Sequence, residues 1–254
     1  MRKPFDFWNV SRFIDKLFSS DLLSDLDLRW FDPTQAYCAD RIDKGLAEGL
    51  MLKRAECTIY LAQESETLGK DSELATTLAQ GKSVIAYVPR LGTFEQFREY
   101  VQEAMDEVYS DSTHEQAVID FLEIFYPAGP WKEARVRRWL NKPAAANIED
   151  VLRMIYKQAT SLYDRRAAAL QKDHPLALQV NLATGVASGV LVVRSAAGCA
   201  KVLRMVLTRS LDFDIEETPS AYLLRERTTH SVYRAVTKDG HLTNAFWNFY
   251  RESV

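Results

Sequence analysis

The sequence predicts an α/β protein: a parallel sheet flanked by helices, followed by a helical region and a small mixed α+β region. Three observations carry that prediction. Two apolar runs, CTIYL from Cys57 and SVIAYV from Ser83, have strand length and no polar alternation, as strands covered on both faces do. A helix-length segment ending near Gly81 joins them, the kind of crossover that parallel neighbours need. Helical periods also fill the chain before Cys57 and after Pro89.

The elements follow in order. FDFWNVSRFIDKLF sets Trp8, Val10, Phe13, Ile14, Leu17 and Phe18 on one side of a helix. DLRWFDP reads as a strand over Leu28 to Phe31, stopped by Asp32-Pro33. ADRIDKGLAEGLMLKRA has helical period, with Ile42, Leu46, Leu50 and Ala55 along one stripe. After CTIYL, Asp71 or Ser72 caps a helix with Glu73 in its first turn and Gly81 at its end. SVIAYV closes at Pro89.

Beyond Pro89 helical periods run from Thr93 to Tyr109, His114 to Phe125 and Trp131 to Asn141. Another starts at a cap on Asn147 and reaches about Lys172, with PAGP and NKP as breaks between these segments. His174-Pro175 ends the helical block. LATGVASGVLVV from Leu182 is too short for the roughly 18 apolar residues of a spanning helix. Its Gly185 to Gly189 spacing reads as close helix packing. AKVLRMVL continues as helix, LDFDIE alternates as a strand, and SVYRAVT pairs with YLLRE across RTTH. LTNAFWNFY, rich in aromatics, reads as a final helix. The expected domains are an α/β domain over 1–92, a helical region over 93–173 and a mixed region over 174–254 for sensing or oligomerisation.

Composition narrows the function. The chain has 254 residues, is 47% hydrophobic and carries 32 basic against 35 acidic side chains, a net charge of -3. That balance gives no electrostatic case for nucleic acid or an anionic membrane as partner. Three widely spaced cysteines, Cys38, Cys57 and Cys199, and four scattered histidines form no metal motif, so no metal and a reducing cytoplasm are expected. Walker loops, GxGxxG motifs and nucleophile triads are lacking. The basic stretch KEARVRRWLNK reads as a solvated helix face with buried tryptophans ahead of a phosphate contact.

In an open parallel sheet, ligands bind beyond the carboxyl ends of the strands. Asp32, the run from Gln63 to Lys70, and Glu73 all converge there in this reading. A first-turn carboxylate is stabilised in its ionised form by the helix dipole. Beside a pocket it can grip ribose hydroxyls or stabilise an oxocarbenium-like sugar as a glycosidic bond breaks. The plainer role of such an acid is to start a helix, and that of Asp32 is to make a turn.

The run LRWFDP … DRIDKGLAEGLMLKRAECTIYLAQES … GKDSELATTLAQGKSVIAYVP resembles the middle of a TIR domain and of its nucleoside 2-deoxyribosyltransferase-like relatives. The shared features are Phe31-Asp32 after a strand, a helix over Ile42 to Ala55, the strand Cys57 to Leu61 running into a loop with Ser65, and Glu73-Leu74 on the next helix. The relatives' pattern falls on Gly69, Glu73-Leu74 and Gly81-Lys82. The resemblance covers a quarter to a third of the chain. It implies a TIR/flavodoxin-like sheet and an NAD(P)+ nucleosidase-type hydrolase, with Glu73 catalytic. Substrate-binding residues would be Asp32, Gln63, Ser65, Gly69, Lys70 and Asp71. It also implies NAD as substrate with no cofactor, an antiviral-defence role, and assembly as a homo-oligomer or with a partner protein. Nucleoside deoxyribosyl transfer or hydrolysis, or an inactive nucleotide-binding scaffold, are the alternatives. Two departures stand out. Lys70-Asp71 occupies the place of the family's Trp-Cys, and MRKPF is too short and polar to be the family's first strand. Either the sheet lacks that strand, another chain supplies it, or the chain start is truncated.

Overall fold

The structure is a computed structural model that describes residues 4–33, 40–62, 68–109, 114–125, 134, 138, 146–172, 187–219 and 222–235. It is mixed α/β, with a three-stranded parallel sheet and a four-stranded antiparallel sheet among those residues. The chain falls into two compact units, residues 1–13 with 90–165, and residues 14–89 with 166–254.

The first unit is helical. It contains the start of α1 (Pro4–Phe18), α4 (Phe94–Val108), α5 (His114–Phe125) and most of α6 (Ala146–Lys172). Thr93 opens α4 with a capping box, its hydroxyl accepting from Gln96 N while the Gln96 side chain accepts from Thr93 N. Aromatic rings fill the core: fully buried Phe5 meets Phe121 edge-on at 4.8 Å, and Phe125 meets Tyr163 at 6.1 Å. Tyr109 donates to the Asp120 carboxylate at 3.3 Å inside this core. Burial, then the charge of Asp120, raises the Tyr109 phenol above its ordinary value.

The second unit holds both sheets. In the parallel sheet, β1 (Cys57–Leu61) pairs with β2 (Ser83–Tyr87), and β2 pairs with β4 (Leu191–Val193). The third strand therefore comes from the segment beyond residue 174. Helix α3 (Leu68–Ala79) covers the face of Thr58 and Tyr60, since Thr58 Oγ1 lies 2.7 Å from Thr77 Oγ1 and the Tyr60 hydroxyl donates to Asp71 at 3.2 Å. Helix α7 (Ala196–Leu207) packs on β2 and β4. At the end of α3 the Gly81 N–H bonds the Leu78 carbonyl and the Lys82 N–H bonds that of Thr77, with Gly81 at φ 68°. This is a Schellman stop, and it explains why glycine stands there.

The antiparallel sheet runs β3 (Ala187–Ser188), β7 (Val232–Ala235), β6 (Tyr222–Glu226), β5 (Phe213–Glu217). The β6–β7 hairpin turns on Glu226, whose fully buried carboxylate accepts from Thr228 N at 3.0 Å and from the Thr229 hydroxyl at 2.7 Å. Both of these elements and the α7 helix lie where the sequence predicts them.

Three expectations are corrected. Leu28 to Phe31 form no strand: that run is irregular, Trp30 and Phe31 are 57% and 41% exposed, and Trp30 stacks on Phe18 at 4.1 Å. Exposed aromatics on an unpaired run cannot supply the buried faces a parallel strand needs. Gly189 does not belong to a packed helix. It precedes β4 and lies so close to β7 that a Cβ there would come within 2.6 Å of the Tyr233 ring. Helix α3 begins at Leu68, ahead of the expected cap at Asp71 or Ser72, so the first-turn acid is Asp71 and Glu73 falls in the second turn. The helix expected over Trp131 to Asn141 and the terminal LTNAFWNFY lie outside the described residues, apart from two single positions.

Candidate functional site

The carboxyl edge of the parallel sheet is built from three strand ends. The ladder continues one residue past β1 and β2: Ala62 N–H donates to the Tyr87 carbonyl at 3.0 Å, and Val88 N–H to that of Val193 at 2.9 Å. Among the described residues two cations sit on this edge. Lys70 Nζ donates to the Leu61 carbonyl, the last of β1, at 3.1 Å. Arg194, the residue after β4, donates through Nε to the Val88 carbonyl at 2.8 Å and through Nη2 to Pro89 at 3.0 Å. Carbonyls at the end of a parallel sheet carry partial negative charge, and these side chains satisfy it.

Helix α3 rises from the same edge. Its buried face holds Leu74, Thr77 and Leu78. Lys70 stands one turn before Leu74 and so shares that face, which is why its ammonium reaches the strand end. Glu73 is half-buried on the flank of the face, three residues beyond Lys70, and its carbonyl accepts from the Thr77 hydroxyl at 2.9 Å. Asp71 is held by Tyr60. In the second turn the dipole acts weakly on Glu73, so the first-turn argument for its charge does not carry over.

The sequence-predicted residues are thus brought together in part. Lys70, Asp71 and Glu73 share the first half of α3 at the carboxyl edge, and Gly69 lies on the same helix. Asp32 is half-buried with its Oδ2 atom fully enclosed, but it ends an irregular run and not a strand. Gln63 and Ser65 lie outside the described residues. Lys82, part of the Gly-Lys pattern, is engaged elsewhere: its Nζ donates to the Leu52 and Lys53 carbonyls at 2.9 and 2.7 Å, closing the end of α2 (Arg41–Arg54). Desolvation lowers its pKa below the ordinary lysine value.

Sequence reasoning missed Arg194 and Ser195. The signal was present in VLVVRSAAG, an apolar run followed by a capping serine and small residues. Ser195 caps α7, accepting from Gly198 N at 3.0 Å.

The first unit has a separate open cleft of about 430 Å³, lined by Phe94, Arg153, Tyr156, Lys157, Thr160 and Asp164 among others. None of the sequence-predicted residues lines it. Much of its polar lining is engaged locally: Arg153 lies 4.0 Å over the Phe94 ring and pairs with Glu149 at 2.6 Å, and the Tyr156 hydroxyl bonds the Gly92 carbonyl. Among the described residues no group of three or more His, Cys, Asp or Glu side chains could hold a metal, and no helix is long and apolar enough to cross a membrane. Comparison with protein-family models, curated proteins and solved structures returned no match.

Proposed function

We propose that the chain is a TIR-like hydrolase that cleaves the nicotinamide–ribose bond of NAD, with Glu73 as the catalytic carboxylate. One observation carries the reading: Glu73 stands half-buried on the helix that leaves the carboxyl edge of the parallel sheet, one turn beyond a lysine seated on the terminal carbonyl of β1. In such sheets that edge is where ligands bind. The C–N bond breaks with its electron pair passing to the cationic nicotinamide ring, which leaves neutral. Water adds to the ribose carbon and its proton passes to solvent. The Glu73 carboxylate stabilises the ribosyl cation between these events. Lys70 would draw the dinucleotide phosphates, and the role in defence implied by the resemblance belongs to this same reading.

A second reading, a nucleotide-binding or scaffold protein without chemistry, has its own observation. Among the described residues β1 pairs on one side only, with β2. The test is nicotinamide release by wild type and Glu73→Gln. The substitution keeps size and one acceptor oxygen but removes the charge. A loss of about 100-fold to 1000-fold with an unchanged melting temperature is expected for a transition-state stabiliser. Full release by the folded variant, or no release by wild type, favours the scaffold.

A further inference from the structure

The helical unit keeps an open cleft of about 430 Å³ where Phe94, at the start of α4, meets one face of α6. At 100° per residue, Arg153, Lys157, Thr160 and Asp164 lie within about 60° of one another on that face, and Tyr156 stands about 40° to the side. The Tyr156 ring is half-buried and fixed at three points. Its hydroxyl donates to the Gly92 carbonyl at 2.6 Å, and the ring lies 5.7 Å from that of Phe94 and 5.5 Å from that of Phe97. A ring already held in place makes an apolar wall that need not be ordered when a ligand arrives. Arg153 is fixed as well, flat over Phe94 at 4.0 Å and tied to Glu149 at 2.6 Å.

Two groups in this lining are left over by the fold. Lys157 is exposed, follows Arg153 by one turn, and has no acid three or four residues away on either side. Like charges at that spacing repel, and an anion between them relieves the repulsion. The acid of the lining, Asp164, stands two turns farther on, roughly 10 Å along the axis. Thr160 is the second. Thr77 and Thr208 each donate to the carbonyl four residues back, at 2.9 and 2.8 Å, but the enclosed Thr160 hydroxyl has no hydrogen-bond partner. An unbonded hydroxyl in the wall of a cleft is a donor in hand for a ligand oxygen. We propose that the cleft binds a small aromatic anion, a planar ring carrying one phosphate or carboxylate, with the ring against Tyr156 and the anionic group on Lys157. The cleft belongs to the other compact unit from Glu73, so nicotinamide release has no part in the test.

The test is an NMR titration of the isotope-labelled full chain with phenyl phosphate, phenylacetate, benzyl alcohol and inorganic phosphate. Phenyl phosphate or phenylacetate should shift the backbone amides around Lys157 and Thr160, with a Kd of about 0.1 to 1 mM, as suits so small a ligand in an open cleft. Whichever of the two binds more tightly tells a phosphate source from a carboxylate source. Benzyl alcohol has the ring without the charge and inorganic phosphate the charge without the ring, so each should bind at least about ten-fold more weakly. Lys157→Gln, at an exposed position, should weaken the aromatic anion about ten-fold with an unchanged circular dichroism spectrum. Lys201→Gln, exposed on α7, should leave binding as it is. The proposal is overturned if neither aromatic anion moves those amides below about 10 mM. It is equally overturned if inorganic phosphate or benzyl alcohol binds as tightly as the aromatic anions, or if Lys157→Gln binds like wild type.

Discussion

Arg194 offers a sharp test of how the carboxyl edge is held. Its guanidinium spans two successive carbonyls, those of Val88 and Pro89, at 2.8 and 3.0 Å. Arg194→Met keeps the aliphatic stem and removes both bonds. A hydrogen bond from a charged donor contributes about 1.5 to 3 kcal/mol, and the carbonyls left behind are only partly buried, so the pair should cost about 2 to 4 kcal/mol. For a chain of this size each kcal/mol moves the midpoint by about 2 to 4 °C, giving a fall of roughly 5 to 15 °C in a thermal scan. Arg194→Lys keeps the charge but cannot fork across two carbonyls, and should recover less than half of the loss. The amide of Val88, bonded to the Val193 carbonyl, should lose hydrogen-exchange protection in the Met variant. If Arg194→Met melts within about 2 °C of wild type with Val88 still protected, the guanidinium is not what ties this edge.

Two further outcomes follow from local geometry. Gly189→Ala should lower the urea midpoint by an overpacking cost of about 1 to 3 kcal/mol, because its methyl would come within 2.6 Å of the Tyr233 ring and 2.9 Å of the Val232 carbonyl. An unchanged midpoint would mean that this approach is looser than described. Burial pushes the Cys57 thiol up to about 12, with Glu56 adding, and the Cys199 thiol up to about 12, with Cys57 adding. Cys199, which is fully buried, should resist alkylation at pH 9 until the protein unfolds, and more strongly than the half-buried Cys57. A raised thiol pKa contributes stability in full below the unfolded value near 8.5, and that stability is lost as pH rises toward 12. Peptide mapping that finds Cys199 labelled in the native protein as readily as Cys57 would contradict the burial argument.

What the sequence made legible has a physical pattern. Cys57–Leu61 and Ser83–Tyr87 were readable because apolar runs bounded by polar turns have few other uses. The β6–β7 hairpin was readable from two short β-rich runs flanking RTTH. Leu28 to Phe31 misled because aromatic residues raise strand propensity whether or not a neighbour exists to pair with, and propensity cannot report a missing ladder. LATGVASGVLVV misled because a pair of glycines marks close approach without saying of what. Here the approach is of one strand segment to the Tyr233 ring, not helix to helix. The start of α3 was misplaced because Asp71 and Ser72 are good caps in isolation, yet the helix begins at Leu68. That shift of one turn put Glu73 in the second turn, where the dipole acts weakly. Arg194 escaped notice because its partners, Val88 and Pro89, are over a hundred positions away, and no local signal announces such a tie.

The way β2 is flanked also sets a timetable for making the protein. Its first neighbour, β1, leaves the ribosome before it, but its second, β4, is far downstream: Tyr87 faces Leu61 on one side and Val193 on the other. At synthesis rates of about 5 to 20 residues per second, roughly 5 to 20 seconds pass between those two registers. Throughout that interval the nascent chain presents Val84, Ile85 and Ala86, all fully buried in the finished fold, along an uncovered strand edge. Holding factors and slow growth temperatures should therefore raise the yield of this protein. A chain released before residue 193 would keep that sticky edge for good.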